Sequence, residues 1–189
     1  MTAETDSEVS VLIVEDEVEL AEMYGAYLPD TYDVTIANGG EEALELVDSS
    51  FDVVLLDRRM PRISGSEVLA HIEQEGVECH VAMVTAVDPD FDIIDLRIDD
   101  YLVKPITRDE LLETVERLVT LEEYNELVQE LTAKKLKRNV LQVEKPRSEL
   151  QESTEFEQLT AEIAEIEAEL DALADDLDVE DVDEIDQRF

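Results

Sequence analysis

Glu15, Asp16 and Asp57 are acids, Thr85 carries a hydroxyl and Lys104 an ammonium, and each ends or directly follows a short apolar run. The runs are VSVLIV (9–14), FDVVLLD (51–57), HVAMVT (80–85) and YLV (101–103). Carboxylates gathered at one place repel one another unless a cation offsets the repulsion. Magnesium suits such a set, because it is a hard ion that takes one or two carboxylates and completes its shell with water and phosphate oxygens. A carboxylate beside it can also be a nucleophile and form an aspartyl phosphate. In that chemistry Lys104 would pair with one phosphoryl oxygen and the Thr85 hydroxyl would hydrogen-bond another.

Taken singly, each feature has a plainer use. An acid just past a strand is a common helix N-cap, which is the competing role for Asp16. Thr85 is ordinary strand composition, and Lys104-Pro105 and Met60-Pro61 with Gly65 are ordinary turn chemistry. The weight lies in their joint order, an acid pair, an acid, a hydroxyl and a lysine on the ends of successive strands.

The elements that must position these groups follow a βαβα rhythm over residues 9 to about 118. Strands are expected at 9–14, 32–37, 51–57, 80–85 and 101–103. Helices are expected at 17–28, stopped by Pro29, then after Asn38-Gly39-Gly40 with Ala43, Leu44 and Val47 inward, near 66–74, and more weakly within 89–97. Five strands separated by helices imply an α/β fold, a doubly wound five-stranded parallel sheet, whose ligand site lies beyond the carboxyl ends of the strands. All five candidate residues then share one rim.

The remainder is all-helical in pattern. Residues 108 to about 143 lack Gly and Pro and read as one helix, with Leu111, Val115 and Leu118 docking on the sheet domain and Leu121, Tyr124, Val128 and Leu131 forming a coiled-coil seam. Pro146 and Ser148 mark a break. Phe156, Leu159, Ile163, Ile166, Leu170, Leu173 and Leu177 then repeat the same spacing. The expected organisation is a sheet domain over 9–120, a helical hairpin or coiled-coil extension over 121–178 and a frayed acidic tail over 179–189.

With 189 residues, 44% hydrophobic and 35% charged, the chain has enough material for a core and no apolar run of membrane-spanning length. Met1–Glu8 is acidic and precedes only six apolar residues, unlike a signal peptide, so a cytoplasmic location and no membrane partner are expected. Cys79 is the single cysteine, which excludes an internal disulfide, and with only His71 and His80 it cannot build a zinc site. Fifty-two acids against fourteen bases leave a net charge of -38. Molar salt shortens the Debye length to about 3 Å and makes such a surface tolerable, so a salt-rich cytoplasm is the favoured setting over a cationic partner. Nucleic acid is disfavoured by the total charge, with one local exception. Lys134, Lys135, Lys137, Arg138, Lys145 and Arg147 place six of the fourteen bases within 134–147.

The combination of Glu15-Asp16, LLDRRMPRISG around Asp57, Thr85-Ala86 and Tyr101-Leu-Val-Lys104-Pro105 resembles the receiver domain of two-component response regulators over residues 9 to about 120. That resemblance implies the flavodoxin-like sheet, a sensor histidine kinase as partner, and Asp57 as the phosphoacceptor. It implies a magnesium ion held by Asp16, Asp57 and the main-chain carbonyl of Arg59, with Glu15 acting through water. It further implies that Thr85 and Lys104 contact the phosphoryl group and that Thr85 and Tyr101 form the switch. Glu15 stands where many members have Asp, and Arg58 and Arg59 side by side are a departure at a position where members tune phosphate lifetime. The C-terminal third lacks helix-turn-helix patterning and resembles the HalX output domain of halophilic archaea.

The leading reading is therefore a phosphorylation-dependent switch read out by the helical domain, in transcriptional control, with catalysis confined to its own phosphorylation and dephosphorylation. A DNA-binding output using the basic island 134–147 is one alternative. The other is an aspartyl phosphohydrolase, which would carry a second Asp two residues after the nucleophile, where Arg59 stands. The receiver and the C-terminal helices are both candidate homodimer surfaces. For the tail, an antiparallel hairpin that sets Lys134–Arg138 near the acids at 152–157 is preferred.

Overall fold

Strands in the middle of a parallel sheet are covered on both faces, and the longest apolar runs occupy those places. The computed structural model describes residues 9–86, 93–94 and 96–177. Its sheet has the order β2-β1-β3-β4-β5, formed by β1 (Val9–Val14), β2 (Tyr32–Ala37), β3 (Val53–Leu56), β4 (His80–Thr85) and β5 (Asp100–Val103). All pairings are parallel. Every residue of β3 and β4 is buried, whereas the edge strands β2 and β5 are only partly so. This is the doubly wound sheet that the βαβα rhythm predicts. Its order reverses between β1 and β3, which puts a crevice beyond their carboxyl ends.

Helices α1 (Val18–Tyr27), α2 (Gly40–Leu46), α3 (Gly65–Glu75) and the first turns of α4 (Arg108–Glu144) flank the sheet. α1 stops before Pro29, with the Leu28 N–H donating to the Gly25 carbonyl. α3 opens on a capping box, Ser64 accepting from the Glu67 N–H and Glu67 accepting from the Ser64 N–H, and ends at Gly76, whose φ of 66° favours glycine. Thr107 and Glu110 make the same reciprocal pair at the start of α4. Leu111, Val115 and Leu118 are fully buried, as their spacing predicts. The helix expected within 89–97 lies largely outside the described residues, of which Ile93 accepts a hydrogen bond from the Leu96 N–H. The acidic tail also lies outside them.

The chain divides into two compact units, 1–119 and 120–189. In the second, residues 120–144 of α4 are followed by α5 (Arg147–Glu152) and α6 (Thr154–Asp176). Ser153 caps α6 by accepting from the Phe156 N–H. Ile163, Ile166, Leu170 and Leu177 are buried within the single chain, while Phe156, Leu159 and Leu173 are half-buried. Lys134 meets Glu162 at 2.6 Å and Lys135 meets Glu167 at 2.8 Å, so α6 folds back along α4 as a hairpin.

The hairpin register differs from expectation. Lys134 and Lys135 reach acids at 162 and 167, not those at 152–157. The cause is the turn, which is not a sharp reversal at Pro146 but a connection containing the six-residue α5. Lys134 lies ten residues before the end of α4, about 15 Å along its axis, so its partner on α6 must lie a comparable distance past Thr154. Glu162 satisfies that condition. Ion pairs at such exposed positions contribute little, and the buried seam supplies most of the stabilisation.

Candidate functional site

β1 and β3 are neighbours in the sheet, so the residues that follow them meet at the crevice. The Asp57 N–H donates to the Val14 carbonyl at 2.9 Å and the Glu15 N–H to the Ala37 carbonyl at 3.1 Å, extending the ladders one residue beyond the strands. Carboxylate oxygens of Glu15, Asp16 and Asp57 all lie within 4.8 Å of one another. Asp57 and Glu15 are buried and Asp16 is half-buried.

On the far side of the sheet, the Lys104 N–H donates to the Thr85 carbonyl at 2.8 Å and carries the chain past β5. The Lys104 ammonium then donates to Glu15 Oε2 at 2.5 Å and to Asp57 Oδ2 at 2.7 Å. Asp57 Oδ1 accepts from the Arg59 N–H at 3.1 Å, while the Arg59 side chain is exposed. Thr85 is fully buried at the end of β4, with Ala86 exposed beside it. Tyr101 is half-buried and packs on the core from the register position opposite Met83. Glu15, Asp16, Asp57 and Lys104 come together at the rim, with Thr85 at the end of the strand next to β3, and the Lys104 ammonium sits on two of the carboxylates.

Electrostatics follow from this geometry. Burial pushes the Glu15 carboxyl above its ordinary value, opposed by Lys104 and reinforced by the Asp57 charge. Burial alone would lower the Lys104 ammonium, but hydrogen bonds and charge from Asp57 and Glu15 override it and leave the group raised. Tyr24 of α1 was not among the predicted site residues, yet its environment includes them. Its hydroxyl is pushed up to about 12, chiefly by burial, with the Glu15 and Asp57 charges adding and Lys104 opposing.

Gly65 also escaped the sequence reading, where it is an ordinary loop glycine. A Cβ at this position would stand 2.1 Å from the Asp57 carbonyl oxygen, so the start of α3 rests directly on the backbone of the acid. Its N–H donates to the Arg58 carbonyl at 3.0 Å. Gly65→Ala should therefore cost about 1 to 3 kcal/mol, the usual range for overpacking, and should displace Asp57. Thermal melts and aspartate labelling of the variant check this, and both should fall together.

The stretch of chain that builds this oxygen-only cluster, with one lysine bridging two acids, matches a known family. The model of the response regulator receiver domain matches residues 11–116. The chain belongs to that family. A HalX domain model matches residues 120–189, so the receiver is followed by a HalX domain. A protein of Haloferax volcanii grouped with the transcriptional regulators is 48% identical over 114 residues, covering 60% of this chain and 20% of that protein. The transcriptional regulatory protein DltR of Streptococcus agalactiae is 39% identical over 107 residues, covering 54% of this chain and 48% of DltR. The match therefore spans less than half the length of either relative. The crystal structure of the response regulator TrrA from Thermotoga maritima, in complex with Mg2+-BeF, superposes with a TM-score of 0.51 at 32% identity, covering 58% of this chain and 98% of that one. Among the described residues of this receiver and its HalX domain, no helix is long and apolar enough to cross a membrane.

Proposed function

We propose that this chain is the response regulator of a two-component phosphorelay, in which Asp57 accepts a phosphoryl group from a histidine kinase and the HalX domain delivers the output. The observation that carries the reading is the Asp57 carboxylate itself, buried at the switch point with two other acids within 4.8 Å and an ammonium at 2.7 Å. In the reaction a carboxylate oxygen of Asp57 attacks phosphorus. The new O–P bond forms as the P–N bond of the phosphohistidine breaks, and the leaving imidazole keeps the electron pair. Lys104, already held at Asp57, is placed to meet the phosphoryl charge, and the Thr85 hydroxyl lies at the end of the neighbouring strand. Thr85 and Tyr101 are the candidates for relaying the change, since both follow or lie in strands next to β3 or β4.

The donor set fits magnesium, because every side-chain atom it offers is a carboxylate oxygen and no thiol or imidazole is among them. When bound, the ion would neutralise charge on the transferring phosphoryl oxygens. Asp16 and Asp57, with the main-chain carbonyl of Arg59, are the residues that would hold it. Glu15 is buried and held by Lys104, which suits an indirect role through water. Asp16→Ala should weaken magnesium binding by about tenfold or more, while Glu15→Gln should weaken it less. Equal losses in a titration would place both acids in direct contact with the ion. The test of the function is labelling of the full chain by acetyl phosphate, which should require magnesium and stop when a chelator is added. Labelling that persists without the metal would contradict it.

For the output, the structure of the second unit bears on the choice between DNA and protein. Lys134, Lys135 and Lys145 are engaged by Glu162, Glu167 and Glu149, so half of the basic island is neutralised within the chain. That favours a helical output acting through protein contacts over one that meets phosphates.

A further inference from the structure

Glu15 is only 2% exposed although its side chain is ionisable. A carboxylate taken out of water must find partners in the chain, and each of its oxygens has one. Oε1 accepts from the N–H of Glu17, the N-cap of α1, at 3.3 Å, and Oε2 accepts from the Lys104 ammonium at 2.5 Å. Asp16 beside it is half-buried, and its side chain makes no hydrogen bond or ion pair among the described residues. The two adjacent acids are therefore used differently, Asp16 left open at the rim and Glu15 committed to the chain.

The position of Lys104 shows why such a commitment matters. Lys104 follows β5 at the edge of the sheet, Asp57 follows β3, and β4 lies between the two strands. Its ammonium stands on a flexible four-carbon stem and must cross that width to reach the acid. Asp57 holds it at one oxygen, 2.7 Å away. Glu15 reaches in from β1, on the far side of β3, and gives the ammonium a second fixed contact. During transfer the attacked Asp57 oxygen turns from carboxylate into ester, so its hold on the ammonium weakens just as phosphoryl charge has to be met. Glu15 takes no part in that bond change and keeps its hold.

We propose that Glu15 is a positioning residue for the phosphotransfer and acts through Lys104, its carboxylate keeping the ammonium beside Asp57 so that the cation is in place when the phosphoryl group arrives. The inference rests on Asp57 as the phosphoacceptor and gives Glu15 a task separate from any ion.

Two measurements on the full chain test it. The first uses no phosphoryl donor and no magnesium. It is brief reductive methylation in molar KCl, with Lys104 read by peptide mass against the exposed Lys137. Loss of one charge-assisted hydrogen bond should make Lys104 react about fivefold faster or more in Glu15→Gln, which keeps the shape of the side chain. Asp16→Asn should leave Lys104 as in the wild type, because of the two acids only Glu15 bonds it. The second is the maximal rate of labelling by acetyl phosphate at saturating magnesium, followed by intact mass. Glu15→Gln should lower that rate about tenfold, and in a Lys104→Ala background the same substitution should lower it no further. Unchanged Lys104 reactivity in Glu15→Gln overturns the proposal. So does a full further loss in the Lys104→Ala background, which would mean that Glu15 acts without the lysine. A wild type that takes up no label would overturn the phosphorelay reading itself, whereas the methylation contrast reads the contact between Glu15 and Lys104 alone.

Discussion

Replacing Ile163 and Ile166 by Asp should abolish cooperative unfolding of the 120–189 unit while leaving phosphorylation of Asp57 intact. Ile163 is 1% exposed and Ile166 is 7% exposed, next to each other on the inner face of α6. Burial of one such side chain contributes about 1.5 to 3 kcal/mol, and a carboxylate placed there adds its own desolvation cost. Two substitutions remove more than a small helical unit can hold in reserve. The Lys134–Glu162 and Lys135–Glu167 pairs cannot rescue it, because exposed ion pairs contribute little and are screened further in salt. The receiver has its own core, from Leu12 and Val14 through Val54 and Leu56 to Val81 and Met83, and none of it involves α6. Circular dichroism should therefore show loss of helical signal without loss of acetyl phosphate labelling. Wild-type helicity in the double variant would mean that the seam is not structural.

Most of the sheet was readable in advance because a parallel sheet buries its central strands on both faces, which turns them into uninterrupted apolar runs. β1, β3 and β4 are those runs, and the acids after β1 and β3 and the threonine that ends β4 mark the strand ends. The rim followed from topology, since strands that run the same way collect their terminal residues at one edge. What the rim residues do to one another was not readable. Lys104 reaches Glu15 and Asp57 across 89 and 47 residues of chain, and only the fold brings them together. Gly65 carries no local mark of its role, because the close approach that requires it is made by the backbone of Asp57.

The helical unit was readable in period but not in register. Heptad spacing identified the seam, yet α5 has six residues and no buried position, so no apolar periodicity announces it. Missing that helix shifted the expected partners of Lys134 and Lys135 by several residues. The exposed stripe of Leu136, Val140 and Val143 on α4 was hidden for another reason. It begins as the Leu121 to Leu131 seam gives way to the basic island, and a sequence shows that both stripes are apolar without showing which one the hairpin covers.

The account rests on Asp57 as the sole phosphoacceptor, and intact-mass measurement of the full chain after incubation with acetyl phosphate and magnesium tests it most directly. Asp57 combines a place at the sheet switch point, neighbouring acids that fit a metal, and a lysine at 2.7 Å. The wild type should gain one phosphoryl group that alkali removes, as expected of an acyl phosphate. The Asp57→Asn variant keeps the shape of the side chain but has no nucleophilic oxygen, and it should gain none. A phosphoryl adduct of wild-type size on Asp57→Asn would contradict the account.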